Sequence, residues 1–474
     1  MDRKKPERSR HTRWLQVVFP ARFLGVDHDT FLDRLVPWLH KGGFAILDQG
    51  LISGSNFLLS VLLARWLLAD QYGAYAVAFG FFVLLSVVYG SLVLEPMAVF
   101  GGSSYRDCLR GYMGSLLWIH ITFSVAVIAV FGSSALVAAR ITPGGGLAGA
   151  LAGVTIASPC VLLFWLARRS FYLELSPAKA ALGALVYSAL SLGPLFLLYR
   201  RGWLSSFTAF VLMGVAALGT GSYLLMRLRA ALRPAPLVHS RGEIWRRHWR
   251  YGRWALAGSV ASWIPANIYY PLVGWFGSMA HSGQLKALMN LTLPVEQVKM
   301  ALGLLFLPYA AGVLGREGQG NAGSLSRRMT LVAVAVAVGY WIVILCFRGA
   351  VFHFLYSGRY TEVAHLLPIV ALGSIAWCGS FGSAITLRAM ESPASVFVAF
   401  AFATVASLLI GIPLTWAFGV SGAIWGTNVS DVLSWIVLVW LVRRKITGHS
   451  GAIERFASWR STSTQAFSQE FPTE

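Results

Sequence analysis

The run Leu51-Ile52-Ser53-Gly54-Ser55-Asn56-Phe57-Leu58-Leu59-Ser60-Val61-Leu62-Leu63 contains no charged residue, and it opens a series of twelve long apolar stretches between Phe44 and Val442. Leu331–Cys346 and Val396–Leu414 are uncharged in the same way. A helix needs roughly 20 apolar residues to cross a hydrocarbon layer about 30 Å thick at 1.5 Å rise per residue. The apolarity is continuous, whereas the strands of a membrane barrel would alternate over about 10 residues. The chain therefore reads as all-α and polytopic. Composition agrees: of 474 residues, 56% are hydrophobic and 12% charged, against about 25% charged in soluble domains. Such a bundle excludes a soluble core, aqueous catalysis and nucleic-acid readout, and leaves movement of something across or along the membrane.

The predicted spans are 44–68, 74–100, 112–138, 146–166, 179–199, 205–225, 254–276, 285–313, 329–346, 363–386, 396–418 and 421–442. The formal charge of +20 marks membrane orientation, not a nucleic-acid surface, because Lys and Arg concentrate in cytoplasmic loops. Alternate connections and the two termini carry 31 basic residues, the opposite side carries six, and two fall within the eighth span. This places both termini in the cytoplasm of a multi-pass protein, expected in the bacterial cytoplasmic (inner) membrane. Residues 1–43 form a basic N-terminal segment without the pattern of a cleaved signal peptide. Within it, Phe31–His40 alternates apolar and charged residues at helical spacing, as a surface helix or a solvated tail would. The loop 226–253 is a second basic cytoplasmic element, dividing an N-lobe over 44–225 from a C-lobe over 254–442, and 443–474 is a cytoplasmic tail. Trp245 and Trp249 interleave with its arginines in a pattern suited to anionic lipid headgroups.

The halves echo each other. Asp70-Gln71-Tyr72-Gly73-Ala74-Tyr75 follows the first span and His281-Ser282-Gly283-Gln284-Leu285 follows the seventh. The glycine precedes a proline, Pro96 or Pro308, by 23 and 25 residues respectively. Six helices per half make this a parallel repeat about an axis along the membrane normal.

Certain residues carry a family resemblance. Asp48-Gln49-Gly50-Leu51-Ile52-Ser53-Gly54-Ser55-Asn56-Phe57, continuing to Ala64-Arg65-Trp66-Leu67 and Gln71-Tyr72-Gly73-Ala74-Tyr75, resembles the opening of the polysaccharide (O-antigen and exopolysaccharide) flippases of the multidrug/oligosaccharidyl-lipid/polysaccharide (MOP) exporter superfamily. Ser282-Gly283-Gln284-Leu285-Lys286-Ala287 and Phe418-Gly419-Val420-Ser421-Gly422-Ala423-Ile424-Trp425-Gly426-Thr427 are similar to two later pieces. The long basic N-terminus departs from the pattern. The resemblance implies a MATE-like arrangement of two six-helix lobes around a central cavity. Its implied substrate is a lipid-linked oligosaccharide, typically on undecaprenyl diphosphate, flipped to the outer leaflet without cofactor or covalent chemistry. Partners would then be that substrate, membrane lipids and polysaccharide polymerase and export machinery.

Ionisable groups at membrane depth are costly and therefore candidates for function. In the eighth span, Lys286, Asn290 and Gln297 form one helical stripe, and Thr292, Glu296, Lys299 and Gly303 form its neighbour. Lysine can hold a diphosphate as a point charge; alternatively Glu296 and Lys299 pair with each other. Gln49, Ser53, Asn56 and Ser60 share a face of the first span, as lining or as helix–helix packing. Arg65 either meets an anion or snorkels to the outer interface. Asp431, Glu95 and Asp48 are the candidates for ion coupling, with interhelical contact the alternative for Asp431 and solvation for Asp48. Pro265 and Pro271 bracket Asn267 in the seventh span and predict a hinge beside the substrate. Pro143-Gly144-Gly145-Gly146 lacks the Gly-Lys-Ser/Thr of a phosphate loop. The ten histidines show no metal spacing, and the four cysteines no disulfide framework.

Three function classes fit an intramembrane bundle: a lipid-linked oligosaccharide flippase, an ion-coupled multidrug or cation antiporter of the same superfamily, and a membrane-embedded polymerase or ligase. The third wants a long external loop, and the longest here is about Arg348–Glu362. The second wants carboxylates without competing cations, whereas Lys286, Lys299 and Arg65 are cationic. The first is the reading favoured here.

Overall fold

A computed structural model describes residues 28–102, 104–105, 108–228, 240–317, 319–390 and 392–470. Most of the basic N-terminal segment and the middle of the 226–253 loop lie outside these residues. Ten helical stretches are long and apolar enough to cross a membrane, and the protein is a multi-pass membrane protein. The first lobe contains α1 (His28–Trp66), α2 (Ala69–Tyr89), a π-helical turn Gly90–Leu94 running into α3 (Glu95–Gly102), α4 (Leu109–Ile141), α5 (Gly146–Leu173), α6 (Pro177–Arg200) and α7 (Ser206–Leu228). The second contains α8 (Arg241–Asn267), α9 (Tyr269–Phe276), α10 (Met279–Asn290), α11 (Leu293–Glu317), α12 (Ala322–Cys346), α13 (Arg348–Tyr356), α14 (Leu367–Gly379), α15 (Phe381–Ala389), α16 (Pro393–Ala406) and α17 (Ile412–Glu470).

Twelve crossings emerge once the breaks are considered. The apolar stretch Ser395–Thr447 has 53 residues, too many for one crossing at 1.5 Å per residue. It reverses at Gly419, whose φ of 57° and ψ of −127° favour glycine. Ser430 then bonds back to the Ala403 carbonyl, and Gly422 lies against the Leu414 carbonyl. The seventh crossing is α9 with the part of α8 that follows Arg253; the arginine-rich start of α8 lowers the mean hydropathy of the helix and removes it from the ten.

Two spans differ from straight rods. The eighth breaks between α10 and α11, because Pro294 has no N–H for the Asn290 carbonyl. Leu291 and Thr292 instead close tight turns onto Leu288 and Met289. Lys286 and Asn290 therefore lie on α10 and Gln297 on α11, so the single stripe expected of a continuous helix does not exist. The tenth breaks at Ser380, between α14 and α15. The segment Phe31–His40 is continuous with α1.

Small residues bring the helices close, as membrane packing without a hydrophobic drive requires. Across α5 and α7, a Cβ on Gly214 would lie 2.9 Å from the Ala157 Cα. The lobes meet where the sequence echo falls. Gly73 at the start of α2 and Gly283 in α10 face each other so closely that a Cβ on either would come 3.1 Å from the other's backbone nitrogen. The two equivalent glycines thus sit at one crossing, which explains why both half-motifs need them.

Candidate functional site

The lobes are sealed at the end opposite the termini. Tyr72 Oη accepts a hydrogen bond from Asn290 Nδ2 at 2.9 Å and pairs with Ser60 Oγ at 3.1 Å, while Ser60 donates to Asn290 Oδ1 at 3.1 Å. Asp70 accepts the Ala280 N–H at 3.0 Å, at the start of α10. Arg359 donates to the Leu67 carbonyl across the lobes, and within the second lobe Gln284 donates to Glu362 at 3.1 Å. Asn290 is 0% exposed, and both its amide groups are taken by the first lobe. In this structure it belongs to the contact between the lobes.

Toward the terminal end the lobes stay joined along one side only. There α8 packs on α2, the π-helical turn and α3, while α11 packs chiefly on α12 and α15 of its own lobe. The polar stripe of α1 follows this change: Ser60 is buried, Asn56 half-buried, and Gln49 exposed. Asn56 makes no hydrogen bond to the described residues.

The joined side is held by a proline-freed carbonyl. Pro96 cannot donate to the Leu92 carbonyl. His248 Nδ1 takes that carbonyl at 3.0 Å, and its Nε2 receives the Tyr112 hydroxyl at 2.7 Å. Gly252 allows the approach, since a Cβ there would stand 2.5 Å from the Ser91 carbonyl. Glu95 is exposed and accepts from Tyr251 at 3.2 Å. It is an inter-lobe contact at the terminal mouth.

Within the second lobe, ionisable side chains cluster around Glu296 and Lys299. Lys286 and Lys299 each interact electrostatically with Glu296, and Lys299 also with Asp431 and Arg388. Neither lysine forms an ion pair; among the described residues the ion pairs are Arg168–Asp48 and Lys179–Glu174. Lys286 Nζ lies 5.0 Å from the Phe79 ring centroid and 5.4 Å from that of Tyr270. Lys299 Nζ lies 3.4 Å from the Trp377 ring centroid and donates to the Trp377 carbonyl at 3.3 Å. Glu296 is exposed and accepts from Thr292 at 3.1 Å. The Glu296–Lys299 pair expected as an alternative is thus not formed in this conformation. Asp431 on α17 is half-buried and makes no hydrogen bond or ion pair with the described residues, and Gln297, next to Glu296 on α11, is half-buried.

The remaining candidates lie apart. Arg65 is exposed at the sealed end, next to Trp66, which stacks on Tyr199 at 4.5 Å. Asp48 is 1% exposed, paired with Arg168 at 3.0 Å and bonded by the Tyr172 hydroxyl. Solvation of Asp48 is therefore corrected, and Arg168, one of the 31 basic residues counted to the alternate connections and termini, is buried in α5. The expected hinge coincides with a break: the seventh crossing is interrupted at Ile268, between Pro265 and Pro271. Pro265 frees the Ala261 carbonyl, which Thr404 takes. Asn267 is half-buried and donates to the Trp263 carbonyl at 3.3 Å. Sequence reading missed His248, Arg168 and Trp377. Pro96 signalled a free carbonyl but not its partner.

No protein-family model and no curated protein matches the sequence. Solved structures do resemble it. A multidrug resistance MATE family transporter of the MOP superfamily, in an inward-facing conformation, is 13% identical with a TM-score of 0.68, covering 84% of this chain and 95% of its own. The lipid II flippase MurJ, in an inward closed conformation, is 12% identical with a TM-score of 0.65, covering 86% of this chain and 87% of its own. An outward-facing MATE transporter is 12% identical with a TM-score of 0.59, covering 85% and 94%. At these identities the likeness is one of fold: the chain has the two-lobed helical fold of the MATE transporters and MurJ.

Proposed function

We propose that the protein is a flippase carrying a lipid-linked oligosaccharide, with undecaprenyl diphosphate as the carrier, from the cytoplasmic to the outer leaflet by alternating access, in polysaccharide biosynthesis. One observation carries this reading: Lys286 and Lys299 lie at membrane depth on aromatic rings, with no carboxylate neutralising them at contact distance. A lysine in the middle of a spanning helix costs about 2.5–3.5 kcal/mol on insertion scales, and a diphosphate headgroup offsets that cost. The 31-to-6 distribution of basic residues puts the termini in the cytoplasm. The space between the two lobes then opens on the leaflet where the substrate starts, with Asn56, Gln297 and Asn267 available to the sugar. Polysaccharide polymerase and export machinery would use the product.

A second reading rests on Glu296 and Asp431, which lie near the lysines without pairing with them. Two available carboxylates suit a cation antiporter, with Asp431 as the coupling group. Transport by Lys299→Ala separates the two. A flippase of anionic headgroups loses transport while the protein remains folded. Restored transport in Lys299→Ala with Glu296→Ala would make the lysine a structural counter-ion and favour the antiporter.

A further inference from the structure

The position of Lys299 needs a cause. Glu296 is three residues earlier on the same helix, within reach of a flexible four-carbon stem. Asp431 and Glu296 both attract the ammonium electrostatically. Yet the ammonium turns away from both and rests on Trp377. Two features of α14 account for this. The helix ends at Gly379, so the Trp377 carbonyl belongs to its last turn, where carbonyls lack helical donors and carry the negative end of the helix dipole. Ser380 Oγ donates to this carbonyl at 2.7 Å, and Lys299 donates from the other helix. The indole face of the same residue supplies a second attraction, which is largest where water is scarce.

We propose that Trp377 is a positioning residue that holds Lys299 unpaired and available to an anionic diphosphate. Without the indole, Lys299 swings onto Glu296 or Asp431, and the headgroup must then break an ion pair before it can bind. A diphosphate, by contrast, needs only to replace contacts to a neutral ring and a carbonyl. The inference rests on the flippase reading, in which Lys299 meets the headgroup.

The test is binding of farnesyl diphosphate to the purified full-length protein in nanodiscs, with farnesol as the uncharged control and melting temperature as the folding check. Trp377→Leu should weaken farnesyl diphosphate binding about tenfold, as expected for loss of a desolvated cation–π contact, and leave farnesol unchanged. Trp377→Phe, which keeps a ring face, should bind more tightly than Trp377→Leu, and it stands in if the leucine variant does not fold. Adding Glu296→Gln and Asp431→Asn to Trp377→Leu should restore binding, since no carboxylate remains to capture the lysine; a merely structural tryptophan would not be rescued this way. Unchanged binding in Trp377→Leu, or no recovery in the triple variant, overturns the positioning role. If Lys299→Ala itself binds farnesyl diphosphate normally, the flippase reading fails instead, so the two failures are distinguishable.

Discussion

At the scale of single residues, buried polar groups decide how the lobes are joined. His248 is 0% exposed, and as neutral imidazole its ring bridges a carbonyl and a hydroxyl, with one nitrogen donating and the other accepting. Burial, with Arg247 nearby, lowers its pKa from 6.5 to about 4, against the opposing bond to Leu92. The unfolded chain therefore takes up a proton between these values that the folded site refuses. The contribution of His248 to stability is complete above about pH 6.5 and is lost as the pH falls toward 4. Melting temperature measured from pH 7 to pH 4.5 should fall more steeply in the wild type than in His248→Gln. Parallel curves would show that the site is indifferent to protonation.

At the scale of elements, the seventh crossing links the lobes. The start of α8, ahead of the crossing, docks through His248 on the first lobe, and Tyr269 of α9 pairs with Ser407 at 2.7 Å in the second. The break at Ile268 lies between these anchors. Replacing Pro265 and Pro271 together with alanine restores two helical donors and should slow flipping several-fold, at single-turnover rates in proteoliposomes, with substrate binding and expression retained. An unchanged rate would make the break a packing feature. The break itself was legible in the sequence because proline acts locally. The break before Pro294 follows from the same rule but was read through, since the stripe from Lys286 to Gln297 fits a continuous helix. The reversal at Gly419 falls in the gap between the expected spans 396–418 and 421–442, whereas the π-helical turn at Gly90–Leu94 depends on which helix packs alongside, and no local periodicity encodes that. Asp48 shows the same limit: its partner, Arg168, lies 120 positions away.

At the scale of the whole molecule, the twelve crossings and the two-lobed division were readable from apolar length and charge alternation. Joining the lobes at Gly73 and Gly283 gives the half-repeat a structural meaning. Orientation is the first prediction here: cysteines placed at Ser240 and Ser463 should be protected from an impermeant reagent in intact cells, and labelling of either would invert the topology. The central claim is that the protein moves an anionic lipid-linked sugar. Its most direct measurement is the amount of lipid-linked oligosaccharide in cells lacking the gene, before and after complementation. Accumulation of the lipid-linked intermediate that wild type relieves and Lys299→Ala does not is the predicted result. No accumulation, with heightened sensitivity to cationic drugs in its place, would contradict the claim.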